Sequence, residues 1–188
     1  MQNLRDAPMA KFAIHITGLL LILLAACGKE QVQIPVNKNQ QEDIKEDFME
    51  MNKQFVELEE AEINHYIDST KMEMGRCISG LRYHIIEKGE GDSIVDNDKV
   101  TFQYTIAPLG GEPCESLTDV VKTITIGHTD IEKGIREAIP LLRVSGKGEF
   151  IVPAMLGYGV VGKGRCINSW TPLFMKLSII EVERANNN

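Results

Sequence analysis

The sequence of 188 residues is short of several things, and each shortage excludes a class. Proline is scarce, 7 in all, glycine follows no repeat, and 43% of residues are hydrophobic, so a collagenous, low-complexity or wholly disordered chain is excluded. There is no basic excess. The formal net charge is −7, and without a cluster of Lys and Arg there is nothing to neutralise phosphates, so no nucleic-acid partner is expected. The longest apolar run, Phe12 to Ala26, is too short for a membrane span, which needs about 20 residues. Among the 4 cysteines no zinc spacing occurs, and His65, His84 and His128 are scattered. No metal and no cofactor are expected, and no Ser, His and Asp arrangement stands out.

What is present begins with an export signal. Arg5 and Lys11 precede the apolar run, which closes on Leu24-Ala25-Ala26-Cys27, resembling a bacterial lipobox. Cleavage before Cys27 and diacylglycerol on its sulfur would anchor the chain to a membrane, at about 0.8 kcal/mol per buried CH₂. An ordinary signal peptide with an incidental cysteine is the plainer alternative. The expected organisation is a signal over 1–26, a flexible polar tether over 27–40, an acidic helix and linker over 41–74, and a folded domain over 75–188. Charge follows these divisions. Cys27 to Met74 holds 5 basic against 12 acidic residues, and Gly75 to Asn188 holds 13 against 14. Such a spacer is repelled by an anionic membrane surface.

Ile44, Phe48, Met51, Phe55 and Leu58 recur at helical steps in a narrow stripe, predicting a helix over about 41–69. Two heptads fall short of a coiled coil, so the helix reads as a spacer packing loosely on the domain, with dimerisation left open. Ile63, Tyr66 and Ile67 are its expected contact. Beyond Gly75 the pattern becomes strands and turns. Strands are predicted over 81–87, over a segment where Val100, Phe102, Tyr104 and Ile106 alternate with polar residues, and over 121–126, 148–153 and 171–183. A short helix is expected over about 130–138, with Thr129 and Glu132 in capping-box spacing and Pro140 after its end. Strands around one short helix, joined by hairpin-scale turns, make an antiparallel α+β domain.

Three motifs then carry a resemblance. Ser79-Gly80-Leu81-Arg82-Tyr83 ahead of Gly89-Glu90-Gly91-Asp92, Val100-Thr101-Phe102-Gln103-Tyr104, and Leu156-Gly157-Tyr158-Gly159 resemble an FKBP-type peptidyl-prolyl cis-trans isomerase over about Ile78 to Glu183. The lipobox, the long helix and Ile167-Asn168-Ser169-Trp170-Thr171-Pro172-Leu173 are similar to the lipoprotein branch associated with gliding motility in Bacteroidetes. The resemblance implies about five antiparallel strands wrapped around the short helix, and rotation about X-Pro amides of exported polypeptides. It implies a lipid-anchored protein of the bacterial envelope, at the outer membrane facing the periplasm.

It also implies roles. Tyr158 would donate its hydroxyl to a substrate carbonyl, while Tyr104 and Glu115 orient the pocket edge. Ile131, the backbone N–H of Glu132, Ile135 and Ile167 would form walls and floor. Outside the Gly-Tyr-Gly setting, Tyr104 and Tyr158 would read as core or edge tyrosines. Three positions depart from the family pattern, with Ile135 where the floor is usually Trp and Cys114 and Met175 where the wall is aromatic. Tyr158 and Glu115 favour an enzyme, and these three favour a non-catalytic binding module of an envelope or motility complex. Lipidation of Cys27 would leave Cys77, Cys114 and Cys166, so at most one intrachain bridge forms. In the family arrangement the Cys114 wall lies against the loop carrying Cys166, which implies a Cys114–Cys166 disulfide. Two buried reduced thiols remain the alternative.

Overall fold

A computed structural model of the chain describes residues 38–185. The signal, Cys27 and nearly all of the tether lie outside the described residues. The first element is helix α1, Lys38–Thr70. The strands are β1 (Gly75–Arg76), β2 (Arg82–Glu87), β3 (Lys99–Pro108), β4 (Val120–Thr125), β5 (Lys147–Val152) and β6 (Leu173–Glu183), with helix α2 (Lys133–Ala138) between β4 and β5. They form one antiparallel sheet in the order β1-β2-β5-β6-β3-β4. The sixth strand beyond the expected five is β1, two residues pairing with Arg82 and Tyr83 and too short for any periodicity to register.

Alternation sets the core. Val100, Phe102, Tyr104 and Ile106 of β3 and Leu173, Met175, Leu177 and Ile179 of β6 are all buried on one face, each contributing roughly 1.5–3 kcal/mol by leaving water. Helix α2 adds Ile135 and Ala138 to the same cluster. It packs so tightly on β5 that a Cβ on Gly134 would drive into Val152 Cγ1, which only glycine avoids.

The start of α2 differs from the capping-box reading. The helix begins at Lys133, Glu132 is its N-cap without a side-chain cap bond, and the Thr129 hydroxyl instead accepts the Thr125 N–H at 3.0 Å. Thr129 closes the turn leaving β4, and the chain runs on non-helically so that Ile131 reaches the core before helix begins. Pro140 lies in a 3-10 turn, Ile139–Leu141, that continues directly from α2.

Helix α1 turns the expected residues Ile63, Tyr66 and Ile67 towards the sheet domain, and of its apolar stripe Phe55 joins them. Ile44, Phe48, Met51 and Leu58 are exposed, whereas Ile63 is buried and Phe55, Glu59, Glu60, Tyr66 and Ile67 are half-buried. Polar positions make much of this contact. Glu60 pairs with the buried Arg82 at 2.5 Å and with Arg76 at 3.1 Å. Arg82 also donates to Gly80 O at 2.7 Å, so its buried charge is both paired and hydrogen-bonded.

Candidate active site

The site is assembled from the end of β3, the start of α2, and two loops that follow β5. Past Pro108 the chain turns and comes back, with Cys114 N–H donating to Ile106 O at 3.1 Å, and this seats Cys114 in the core. Glu115 then opens a 3-10 turn, Glu115–Leu117. Across from Ile106 on β6 stands Met175, fully buried.

The second loop is a small hairpin. Lys163 N–H donates to Ile167 O at 2.8 Å and Ile167 N–H returns the bond at 3.2 Å, which turns Ile167 into the core. Gly162, at φ +69°, permits this closure because a Cβ there would strike Ile167 O. Cys166, exposed on this hairpin, is disulfide-bonded to Cys114 with a Cα–Cα distance of 5.9 Å. Cys77 is the remaining thiol among the described residues, and burial followed by the negative charge of Glu137 pushes it up.

Tyr158 sits on the first loop. After Pro153 the chain makes a 3-10 turn, Ala154–Leu156, and Ala154 O then accepts the N–H groups of Gly157 at 3.0 Å and Gly159 at 2.8 Å, bracketing the tyrosine. The ring packs on the core, and its hydroxyl is buried with no hydrogen-bond partner among the described residues. Burial first, then the Glu132 carboxylate and Tyr104, hold its pKa far above the ordinary tyrosine value. Glu132 is thus near enough to be felt, yet no bond of proper geometry forms between them. The group keeps its proton at every physiological pH and has a donor to offer.

Tyr104, Cys114, Ile131, Ile135, Ile167 and Met175 belong to one continuous buried cluster, and Tyr158 packs against it. Glu132 caps α2, and no described residue accepts its backbone N–H. Ile131 and Glu132 line a cleft of about 570 Å³ together with Lys122, Arg136 and Met155. Glu115 stands apart, being exposed with no hydrogen bond to its carboxylate among the described residues. Two residues carried no sequence signal. Lys122 lies over the Tyr104 ring at 5.7 Å, brought there by the pairing of β3 with β4, and Lys163 lies over the Tyr158 ring at 5.4 Å, brought there by the turn between them. The arrangement sets a buried aliphatic cluster, one buried O–H donor and one backbone N–H without a described acceptor beside a cleft lined largely by charged side chains. It contains no nucleophile beside a base, so it suits binding and bending an amide rather than cleaving one.

Residues 90–179 match the family described as FKBP-type peptidyl-prolyl cis-trans isomerase. The chain is 29% identical over 172 residues to the outer membrane protein MIP of Legionella longbeachae, covering 90% of this chain and 72% of that one. It is 30% identical over 104 residues to a probable FKBP-type peptidyl-prolyl cis-trans isomerase of Haemophilus influenzae, 55% of this chain but only 43% of that relative. In fold it resembles FkpA from Escherichia coli, with a TM-score of 0.56 at 17% identity over 97% of this chain and 100% of the other. A peptidyl-prolyl cis-trans isomerase from Pseudomonas syringae gives a TM-score of 0.55 at 18% identity, over 68% of this chain and 96% of the other.

The bridge makes a testable demand. Non-reducing peptide mapping should recover Cys114 joined to Cys166 and Cys77 free. Reduction should lower unfolding stability by up to about 4 kcal/mol on the chain-entropy account, seen as an earlier urea midpoint. Free thiols at both positions, or a midpoint indifferent to reduction, would contradict it.

Proposed function

We propose that this chain, whose residues 90–179 match the FKBP-type peptidyl-prolyl cis-trans isomerase family, speeds the cis–trans interconversion of X-Pro bonds in exported polypeptides. Its substrates are proline-containing segments of folding proteins, in which this step takes tens of seconds unaided. The carrying observation is the Tyr158 hydroxyl, a buried donor that keeps its proton and has no partner of its own, packed against a cluster of isoleucines.

Rotation about an X-Pro amide has a barrier of about 18–20 kcal/mol because resonance is lost in the twisted state. No bond breaks and no proton leaves. Ile131, Ile135, Ile167 and Met175 seat the proline ring away from water, where the less delocalised, less polar twisted amide is favoured over the planar one. The Tyr158 O–H and the Glu132 N–H bind the substrate carbonyls flanking the bond and hold them at the twisted geometry. Tyr104 shapes the edge of the pocket.

The chain acts, in this reading, at a bacterial envelope, held by a lipid on Cys27. Support comes from the Leu24-Ala25-Ala26-Cys27 sequence, from the acidic spacer behind it and from the name of the Legionella relative as an outer membrane protein. Outer-membrane attachment facing the periplasm is the placement this favours, and the lipoprotein branch associated with gliding motility is the part of the family whose architecture it fits.

In an assay on an apolar-X-Pro peptide the full chain should accelerate isomerisation, and Tyr158→Phe should lower kcat/KM about ten-fold, the worth of one hydrogen bond. A folded wild-type sample no faster than the uncatalysed reaction would reject the enzyme and leave a binding module. Expression in a bacterium fed labelled fatty acid should label the wild type and not Cys27→Ala. Equal labelling of the two would reject the anchor.

A further inference from the structure

Helix α1 lies outside the matched segment, yet two of its residues grip the loop that carries Tyr158. Glu59 Oε1 accepts the backbone N–H of Ala154 at 2.5 Å. Ala154 is fully buried, so this carboxylate satisfies a donor that water does not reach. One turn earlier on the same face, the Phe55 ring stacks on Trp170 with centroids 4.7 Å apart and planes 1° from parallel. Trp170, at φ +57°, donates its N–H to Gly159 O at 2.9 Å. The N–H of that same Gly159 is held by Ala154 O at 2.8 Å. Both ends of the segment Ala154 to Gly159 are therefore tied to α1, one directly and one through Trp170, with Tyr158 between them.

We propose that Glu59 and Phe55 are positioning residues for the Tyr158 hydroxyl, so that α1 is a working part of the isomerase site and not only a spacer. The proposal rests on the role given to Tyr158 above. A donor that must meet a carbonyl in a twisted amide has to be held to a fraction of an ångström, and the loop's own bonds run only between its neighbours. The glycines at 157 and 159 leave that loop with little stiffness of its own. The clasp supplies it from outside. Burial raises the Glu59 pKa, the Ala154 N–H opposes that, and Glu62 and Glu60 raise it further, consistent with a carboxylate partly stripped of water. The helix has separate anchors, Ile63 in the core and Glu60 on Arg82, so losing one clasp residue leaves it docked.

The test uses the full chain carrying Glu59→Ala, Glu59→Gln, Phe55→Leu and Phe55→Tyr. Glutamine keeps an acceptor for Ala154, and tyrosine keeps the stack. Glu59→Ala and Phe55→Leu should each lower kcat about ten-fold with KM little changed, while Glu59→Gln and Phe55→Tyr should restore most of it. Backbone amide exchange at Ala154 and Gly159 should quicken in the first pair only. Trp170, the 1 tryptophan of the chain, should shift its emission in Phe55→Leu. Faster exchange or shifted emission with unchanged kcat would make the clasp merely structural and overturn the proposal, as would failure of Glu59→Gln to rescue. Should the wild type itself be inactive, the isomerase reading falls. The exchange arm then still decides the clasp, and unchanged exchange across residues 154–159 would overturn it.

Discussion

The pairing of β3 with β6 is the constraint on which the rest hangs. It runs antiparallel from Lys99 opposite Glu183 to Pro108 opposite Leu173, and a register shift between Thr101 and Phe102 sets which side chains face inward. A slip of one residue would turn Tyr104, Ile106, Met175 and Leu177 out to water and empty the core. The same pairing fixes the loops. Cys114 returns to Ile106, and Leu109 N–H closes on Pro172 O at 2.9 Å just ahead of β6. The placing of these loops is thus a by-product of register at one end of two central strands.

The buried cluster behind the proposed site is largely aliphatic. Isoleucine at 135, a cysteine at 114 and methionine at 175 stand where the family resemblance places aromatic rings, and each lost ring contact forgoes about 0.5–1.5 kcal/mol of stacking. Rigidity comes from elsewhere. The Cys114–Cys166 bond ties the hairpin bearing Ile167 to the strand wall, and helix α1 clasps the loop bearing Tyr158. Rotation of an amide asks for a dry, shaped surface with a few fixed donors, and nothing in that requires the surface to be aromatic.

Much of this was legible in the sequence because alternation and turn chemistry are local. The five longer strands and the short helix follow from spacing alone, while the isoleucines at 131, 135 and 167 and the loop of Tyr158 were singled out by the family resemblance. Three things were not local. The contact of α1 was legible only in its apolar part: Ile63, Tyr66 and Ile67 turn inward as expected and Phe55 of the stripe joins them, but Glu59 and Glu60 carried no signal, because their partners Ala154 and Arg82 are far away in the chain. Thr129 had the spacing of a helix cap, but the β4 turn took its hydroxyl first. Glu115 was given a place at the pocket edge by the resemblance alone, yet it is exposed at the start of a 3-10 turn, which no residue pattern announces.

The central claim, that these isoleucines seat a proline, is tested most directly by methyl NMR on isoleucine-labelled full chain titrated with a Leu-Pro peptide and, separately, its Leu-Ala counterpart. The account predicts saturable shifts of the Ile131, Ile135 and Ile167 methyls with the first peptide alone, accompanied by exchange cross-peaks between the peptide's cis and trans forms. Equal shifts with both peptides, or cis and trans lines that exchange no faster than in buffer, would contradict it.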